Sequence, residues 1–324
     1  MTVSMGGEWG KALRRAALVV LAPLTILALA GCTDAPGKEL ADGTPPNPLL
    51  YEIASADGTV EGWMLGTIHA LPDGTQWRTN EIGRVIDTAD LLVVEIGELK
   101  GRDEGPSIYF SLAQRPGLPP LATRLPPELR PQLARLLERG GMESDDFAVE
   151  ETWAAAIALA RINATGDPAN GVDSALIKDF AGRPVRELEG LRGQLSIFDR
   201  LPESAQRSML AAVVRESEKT RKDPARLQRA WLAGDAATIE QSTREGFLAD
   251  PALREALLAG RNWRWVKALV PMLEQDPRPL IAVGTAHLVG PDGLAALLEA
   301  EGYQVRRMQA GPRAKAVAKP AISL

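Results

Sequence analysis

Two histidines occur in the 324 residues, and both sit in the same phrase: Gly66-Thr67-Ile68-His69 and Gly284-Thr285-Ala286-His287. An imidazole can exchange a proton near neutral pH or ligate a transition metal, so this chain concentrates that chemistry in one repeated motif. Each phrase follows an apolar run, Trp63-Met64-Leu65 or Leu280-Ile281-Ala282-Val283, and reads as a strand ending in a glycine turn that presents a His. Two more strand-like runs end in carboxylates: Glu95 after Val93-Val94, and Glu189 after Val185-Arg186-Glu187-Leu188. An unpaired carboxylate after apolar residues is costly to bury, so Glu95 needs a partner or a task. Glu189 suits either a site role or surface pairing, with Glu187 and Arg192 nearby. Ligands of open α/β sheets sit beyond the carboxyl ends of the strands, where two His and two Glu can converge. That set suits a divalent Zn, Mn, Co or Fe with an open position for water. The cation would acidify the water and a spare Glu would take its proton.

The elements that must deliver these groups form an α/β pattern with a largely helical middle. A hairpin is predicted from strands 50–55 and 61–67 around Asp57-Gly58, then a helix over 81–89 and a strand over 91–94. Two helices are predicted within 126–162, one with a stripe of Leu129, Leu133, Leu136 and Leu137, the other with Trp153, Ile157 and Ala160. A helix over 172–180, a strand over 184–188 and helical pattern through 203–275 follow. Strand 280–283, helix 293–300 and strand 303–306 close the chain. Asp73-Gly74 after the first His and Pro291-Asp292-Gly293 after the second extend the likeness into a weak internal repeat, which predicts a central sheet built from two related halves facing one another. Both Asp residues read as turn formers.

The N-terminus speaks to location. Lys11, Arg14 and Arg15 precede an apolar run over 16–30 that is interrupted by Pro23 and closes on Leu29-Ala30-Gly31-Cys32. The run is short for a bilayer span and reads as an export signal; the closing tetrad resembles the bacterial lipoprotein signal, which implies lipidation of Cys32. By that resemblance Thr33 favours the outer membrane over the inner, with the domain facing the periplasm. Cys32 is the only cysteine, so the remainder holds no disulfide, thiolate site or cysteine nucleophile. Loss of residues 1–31 removes three basic groups (Lys11, Arg14, Arg15) and one acidic group (Glu8), taking the formal charge from −5 to −7. An acidic surface argues against nucleic acid as partner. The organisation expected is signal 1–31, flexible tether 32–48, one domain over 49–308 and a disordered tail 309–324.

Taken together, Gly66 to His69, a strand ending in Glu95, Leu188-Glu189 with Gln194, Arg261-Asn262, and Gly284 to His287 running on through Gly290, Gly293 and Leu294 resemble the TraB/GumN family over about residues 50–308. The resemblance implies a fold similar to erythromycin esterase and ChaN. It also implies a metal-dependent, peptidase-like site of the kind found in the Tiki proteases, or a metal-free His and Glu pair, or a haem pocket. His69 and His287 then become metal ligands or base, Glu95 a ligand or orienting carboxylate, and Glu189 a general base. Arg261 becomes either the group that steadies an oxyanion or a salt-bridge partner. Gln194 would hold Glu189 in place, and Trp263 and Trp265 suit the core better than a substrate platform. Family members usually carry Glu where this chain has Gly260.

The function expected is a lipid-anchored metallohydrolase that cleaves peptides or peptide-like bonds in the cell envelope. The alternatives are a noncatalytic peptide-sequestering protein and a haem or iron carrier; for the carrier, none of Tyr51, Tyr109 or Tyr303 sits beside a His motif. Since stable anchoring takes more than one acyl chain, Cys32→Ala should release the protein from the outer membrane in cell fractionation. Unchanged fractionation of the variant rules out the lipid anchor.

Overall fold

The computed structural model describes residues 45–97, 104–275 and 277–309. Cys32, the signal segment, the tether as far as residue 44 and the tail from residue 310 lie outside the described residues. The strands are β1 (Leu50–Ala54), β2 (Val60–Thr67), β3 (Leu91–Val94), β4 (Val185–Glu187), β5 (Pro279–Gly284) and β6 (Gln304–Met308). The helices that bear on the site are α1 (Asn80–Thr88), α2 (Glu104–Ala113), α3 (Arg130–Arg139), α4 (Thr152–Ala160), α5 (Val172–Asp179), α6 (Gly190–Asp199) and α7 (Glu203–Lys222). After them come α8 (Arg226–Ala233), α9 (Ala236–Ser242), α10 (Pro251–Arg254), α11 (Gly260–Leu273) and α12 (Leu294–Ala300).

One sheet runs in the order β4-β3-β5-β2-β1-β6, and the protein is of the α/β class. β2, β5, β3 and β4 are mutually parallel, while β1 pairs antiparallel with β2 and with β6. Every residue of β3 and β5 is buried, as expected of parallel strands covered on both faces. Their side chains alternate between two cores. Val93, Ile281 and Val283 pack with Met64, Trp265, Leu269 and Leu298; Leu92, Leu280 and Ala282 pack with Leu65, Ile82, Phe180 and Trp231. A third core joins α2, α4, α6 and α7, where Trp153 stacks on Phe198 at 5.8 Å between ring centroids. The helical middle therefore has an interior of its own beside the sheet.

Parallel pairing puts the carboxyl ends of β2, β5, β3 and β4 along one rim, and each of them leads into one of the four residues His69, His287, Glu95 and Glu189. The two Gly-Thr-x-His copies are not in units facing one another. They lie side by side on adjacent strands, with Gly66 opposite Val283 and Thr67 opposite Gly284. Gly66 is required there by close approach: a Cβ on it would lie 2.5 Å from Thr285 Oγ1. The Trp231 indole on α8 donates to Gly66 O at 2.8 Å and ties the helical layer to the end of β2. α2 and α6 were not anticipated by the sequence pattern. Among the described residues no helix is long and apolar enough to cross a membrane.

Candidate active site

The four strand-end residues meet around a fifth side chain. Arg261, 3% exposed at the start of α11, reaches into the rim. Its Nη2 donates to Glu95 Oε2 at 2.6 Å and to Glu189 Oε2 at 2.8 Å, and its Nε donates to Glu189 Oε1 at 3.1 Å. Nη1 donates to Leu257 O at 3.3 Å and faces His287 Nε2 at 3.2 Å. A guanidinium has five N–H groups, and this geometry engages all of them with protein. Burial alone would lower the Arg261 pKa, but the Glu95 and Glu189 carboxylates outweigh it and raise it, so the group stays charged. The helix enters through a π-helical turn over Glu255–Ala259, an irregularity often found at functional sites; here it precedes the turn that carries Arg261 and Asn262.

Glu95 is buried and fully satisfied. Besides Arg261, Gln194 Nε2 donates to its Oε2 at 3.0 Å and the Gly284 N–H to its Oε1 at 2.8 Å. It thus fastens the end of β3 to the end of β5. Gln194 holds Glu95, not Glu189 as the sequence suggested. Glu189 is oriented instead by Arg261 and by the Trp265 indole, which donates to Oε1 at 3.1 Å. Trp265 lies 4.4 Å from the His287 ring and 4.7 Å from the Arg261 guanidinium carbon, so it forms a wall of the site. Trp263, expected in the core, is 49% exposed.

The two histidines have opposite environments. His69 Nδ1 lies 2.5 Å from Asp173 Oδ2, and the other carboxylate oxygen of Asp173 accepts from Thr67 Oγ1 at 2.8 Å. An ionised carboxylate only accepts, so Nδ1 carries the proton and the Nε2 lone pair is left as a base. Nε2 is buried and has no hydrogen-bond partner. Burial opposes charge on this ring, but Asp173 and then Glu95 prevail over it and over Arg261, and the pKa is raised. His287 Nδ1 lies 2.6 Å from Asn262 Oδ1, an acceptor, which directs its Nε2 lone pair at the Arg261 N–H. Burial, followed by the positive charges of Arg261 and His69, pushes the His287 pKa well below its ordinary value. This imidazole is neutral.

Asp173 and Asn262 carry the difference. Asp173 stands in the first turn of α5, brought close because Gly171 packs on the chain at His69; a Cβ on Gly171 would lie 2.4 Å from His69 O. Asn262 is further fixed by donating to Asp292 O at 2.6 Å. Asp73 accepts from Asn170 Nδ2 at 2.6 Å and Asp292 pairs with Arg254, so both turn residues also serve as tethers.

The matching family model is the TraB/PrgY/gumN family, and it spans residues 49–307. The chain belongs to this family. No curated protein and no solved structure matches it. Gly260 lies against the π-helical turn; a Cβ there would sit 2.8 Å from Glu255 O and 2.9 Å from Glu255 Oε1.

As arranged, the donor set does not fit a divalent cation. Both glutamates are paired with Arg261, the His287 Nε2 lone pair faces the guanidinium, and the fixed positive charge stands among the would-be ligands. Among the described residues no group of three or more His, Cys, Asp or Glu is placed to hold a metal. What the geometry supplies is a His-Asp pair with a free Nε2, beside a hydrogen-bonded Glu-Arg-Glu cluster.

Only two imidazoles contribute to an NMR titration, so their fates can be separated. His69 should protonate above about 6.5, the ordinary value, and His287 should stay neutral well into acid. Stability contributed by His69 is complete below about 6.5 and lost as pH rises through its folded pKa, whereas that of His287 is lost as pH falls below about 6.5. Asp173→Asn should move the His69 titration downward and leave His287 silent. Two rings titrating together near the ordinary value contradict this assignment.

Proposed function

We propose that this protein is a hydrolase of peptide or peptide-like acyl bonds that works at the cell envelope, with His69 as general base. The observation that carries the reading is the buried, unpartnered Nε2 of a histidine whose other nitrogen is held by an aspartate. In the proposed step, Nε2 takes a proton from water as the oxygen attacks the acyl carbon. Collapse of the tetrahedral species breaks the acyl–nitrogen bond, and the proton passes from the imidazolium to the departing amine. Asp173 fixes the tautomer and stabilises the imidazolium, the role an aspartate has beside a catalytic histidine elsewhere. Thr285 Oγ1, buried and without a partner against the end of β2, is a donor available for the developing oxyanion.

Arg261 and Glu95 act here as positioning residues, since their hydrogen-bonding capacity is directed at protein groups. Glu189 marks the accessible side of the cluster, as it lines a surface groove. The anchor through Cys32 rests on the lipoprotein-like tetrad alone.

A cleavage assay with a quenched peptide library tests the reading. His69→Ala should lower kcat/KM at least about 10²-fold, equivalent to about 2.7 kcal/mol of transition-state stabilisation. Asp173→Asn should shift the acidic limb of the pH profile, Thr285→Val should lower kcat more than it changes KM, and chelator should have no effect. Activity that disappears on chelation and returns with Mn, Co, Zn or Fe moves His69 Nε2 to the role of metal ligand. Full activity in His69→Ala ends the proposal, and binding of peptides by wild type with no product selects the sequestering alternative.

A further inference from the structure

A cavity of about 160 Å³ lies where the end of β2 meets the helical middle, walled by α4, α7, α8, α9 and the 3₁₀ turn Gly246–Ala249. It borders the chain at Ile68, the residue before His69. It is tied to the residue after His69 through Gln228, a lining residue whose Nε2 donates to Ala70 O at 3.2 Å. The inner wall is apolar and buried, formed by Leu159, Ala160, Ala212, Val213 and Phe247. Polar side chains of the lining have their donors committed to backbone carbonyls: Ser217 Oγ to Val214 O at 2.7 Å, Ser242 Oγ to Ile239 O at 2.6 Å and Asn163 Nδ2 to Ser217 O at 3.1 Å. Toward solvent the lining becomes charged, with Lys219 and Asp223 exposed. Those charges answer one another. Lys219 lies 3.0 Å from Glu245 and 3.6 Å from Glu216, Arg226 lies 3.3 Å from Glu245, and Asp223 pairs with Arg229 at 2.7 Å. The entrance therefore reaches the surface and calls for no charge in what enters.

We infer that this cavity is the subsite for a large apolar side chain of the substrate peptide, of about the size of phenylalanine, in the residue next to the scissile bond. The placement beside the scissile bond rests on the hydrolase reading, because it is His69 that the cavity adjoins; the binding does not need turnover. Size selects the occupant, since an apolar cavity of about 150 Å³ in another protein stays dry and takes up benzene. Chemistry selects it too. A polar side chain entering a wall whose donors are already committed would lose its water without replacement, whereas an apolar one gains by leaving water. A peptide seated by such a side chain would have its backbone held against the strand end that carries the base, which is the positioning that an acyl transfer needs.

The test is fluorescence anisotropy on full-length His69→Ala protein, in which hydrolysis is silenced, with three labelled peptides. All are neutral and capped at both ends, and they differ only in a central Phe, Ala or Gln. The Phe peptide should bind at least about tenfold tighter than the other two, the scale expected for burying a phenyl ring. Adding Ala212→Leu, which fills the cavity from α7, should erase that preference. Adding Val213→Ala instead, a smaller change that widens the cavity, should shift the preference toward a central naphthylalanine. Trp263→Ala, which removes the exposed aromatic ring of α11, should leave it intact. Equal binding of the three peptides overturns the inference, as does a preference that survives filling, that is unmoved by widening, or that is lost in Trp263→Ala. With wild type, cleavage should fall at a bond of the central Phe, and a cut elsewhere also overturns the inference. A cavity-dependent preference with no product leaves the apolar subsite standing and removes only the hydrolase reading, whereas cleavage indifferent to the central residue does the reverse.

Discussion

A guanidinium buried between two carboxylates organises this structure. Charges withdrawn from water cost several kcal/mol each unless their partners are close and well oriented, and Arg261 answers two of them at once. Through Glu95 it reaches the end of β3 and, by way of the Gly284 N–H, the end of β5; through Glu189 it reaches the residue that follows β4. Three strand ends are thus held in one ion-paired knot. The cluster also decides the chemistry beside it. Burial, reinforced by the fixed positive charge, keeps His287 neutral, and that charge disfavours a second cation, while His69, faced by Asp173, retains a basic nitrogen.

The same four-residue phrase serves two ends because its partners differ. A carboxylate opposite Nδ1 supports an imidazolium, so the first histidine can accept a proton during a reaction. A carboxamide opposite Nδ1 orients the ring but gives no such support, so the second histidine serves as an acceptor for Arg261. Thr67 and Thr285 divide similarly: one is spent on Asp173 and the other keeps its hydroxyl unpartnered. Adjacent parallel strands make the division possible, since they present two copies of one turn at one rim under different helices.

Much of this was legible in the chain. His69, Glu95, Glu189 and His287 follow apolar runs, and strands of one direction must deliver such residues to one edge of a sheet. The partners were not. Asp173 lies 104 residues from His69 and Asn262 lies 25 from His287, and each depends on where a helix start comes to rest against the sheet, which no local pattern records. α2 carries Gly105 and Pro106 in its first turn and α6 opens at Gly190 with Gly193 and Ser196 behind it, residues that weaken a helical pattern. Tertiary burial overrides the propensity through Tyr109 and Ala113 in α2 and Leu191, Leu195 and Phe198 in α6. Gln194 was assigned to the nearer glutamate in sequence, but helix geometry turns it toward Glu95. The two tryptophans of α11 were grouped together, although adjacent odd positions on a helix point in different directions.

Whether Arg261 and Glu95 act as one unit is measured by a double-mutant cycle in urea unfolding. Arg261→Met alone should cost about 3–5 kcal/mol, because it leaves buried carboxylates uncompensated. Combined with Glu95→Gln, the total should fall short of the sum of the single costs by at least about 1 kcal/mol, the behaviour of residues in one network. Costs that add to within about 0.5 kcal/mol mean that the two side chains do not depend on each other, and the central claim fails.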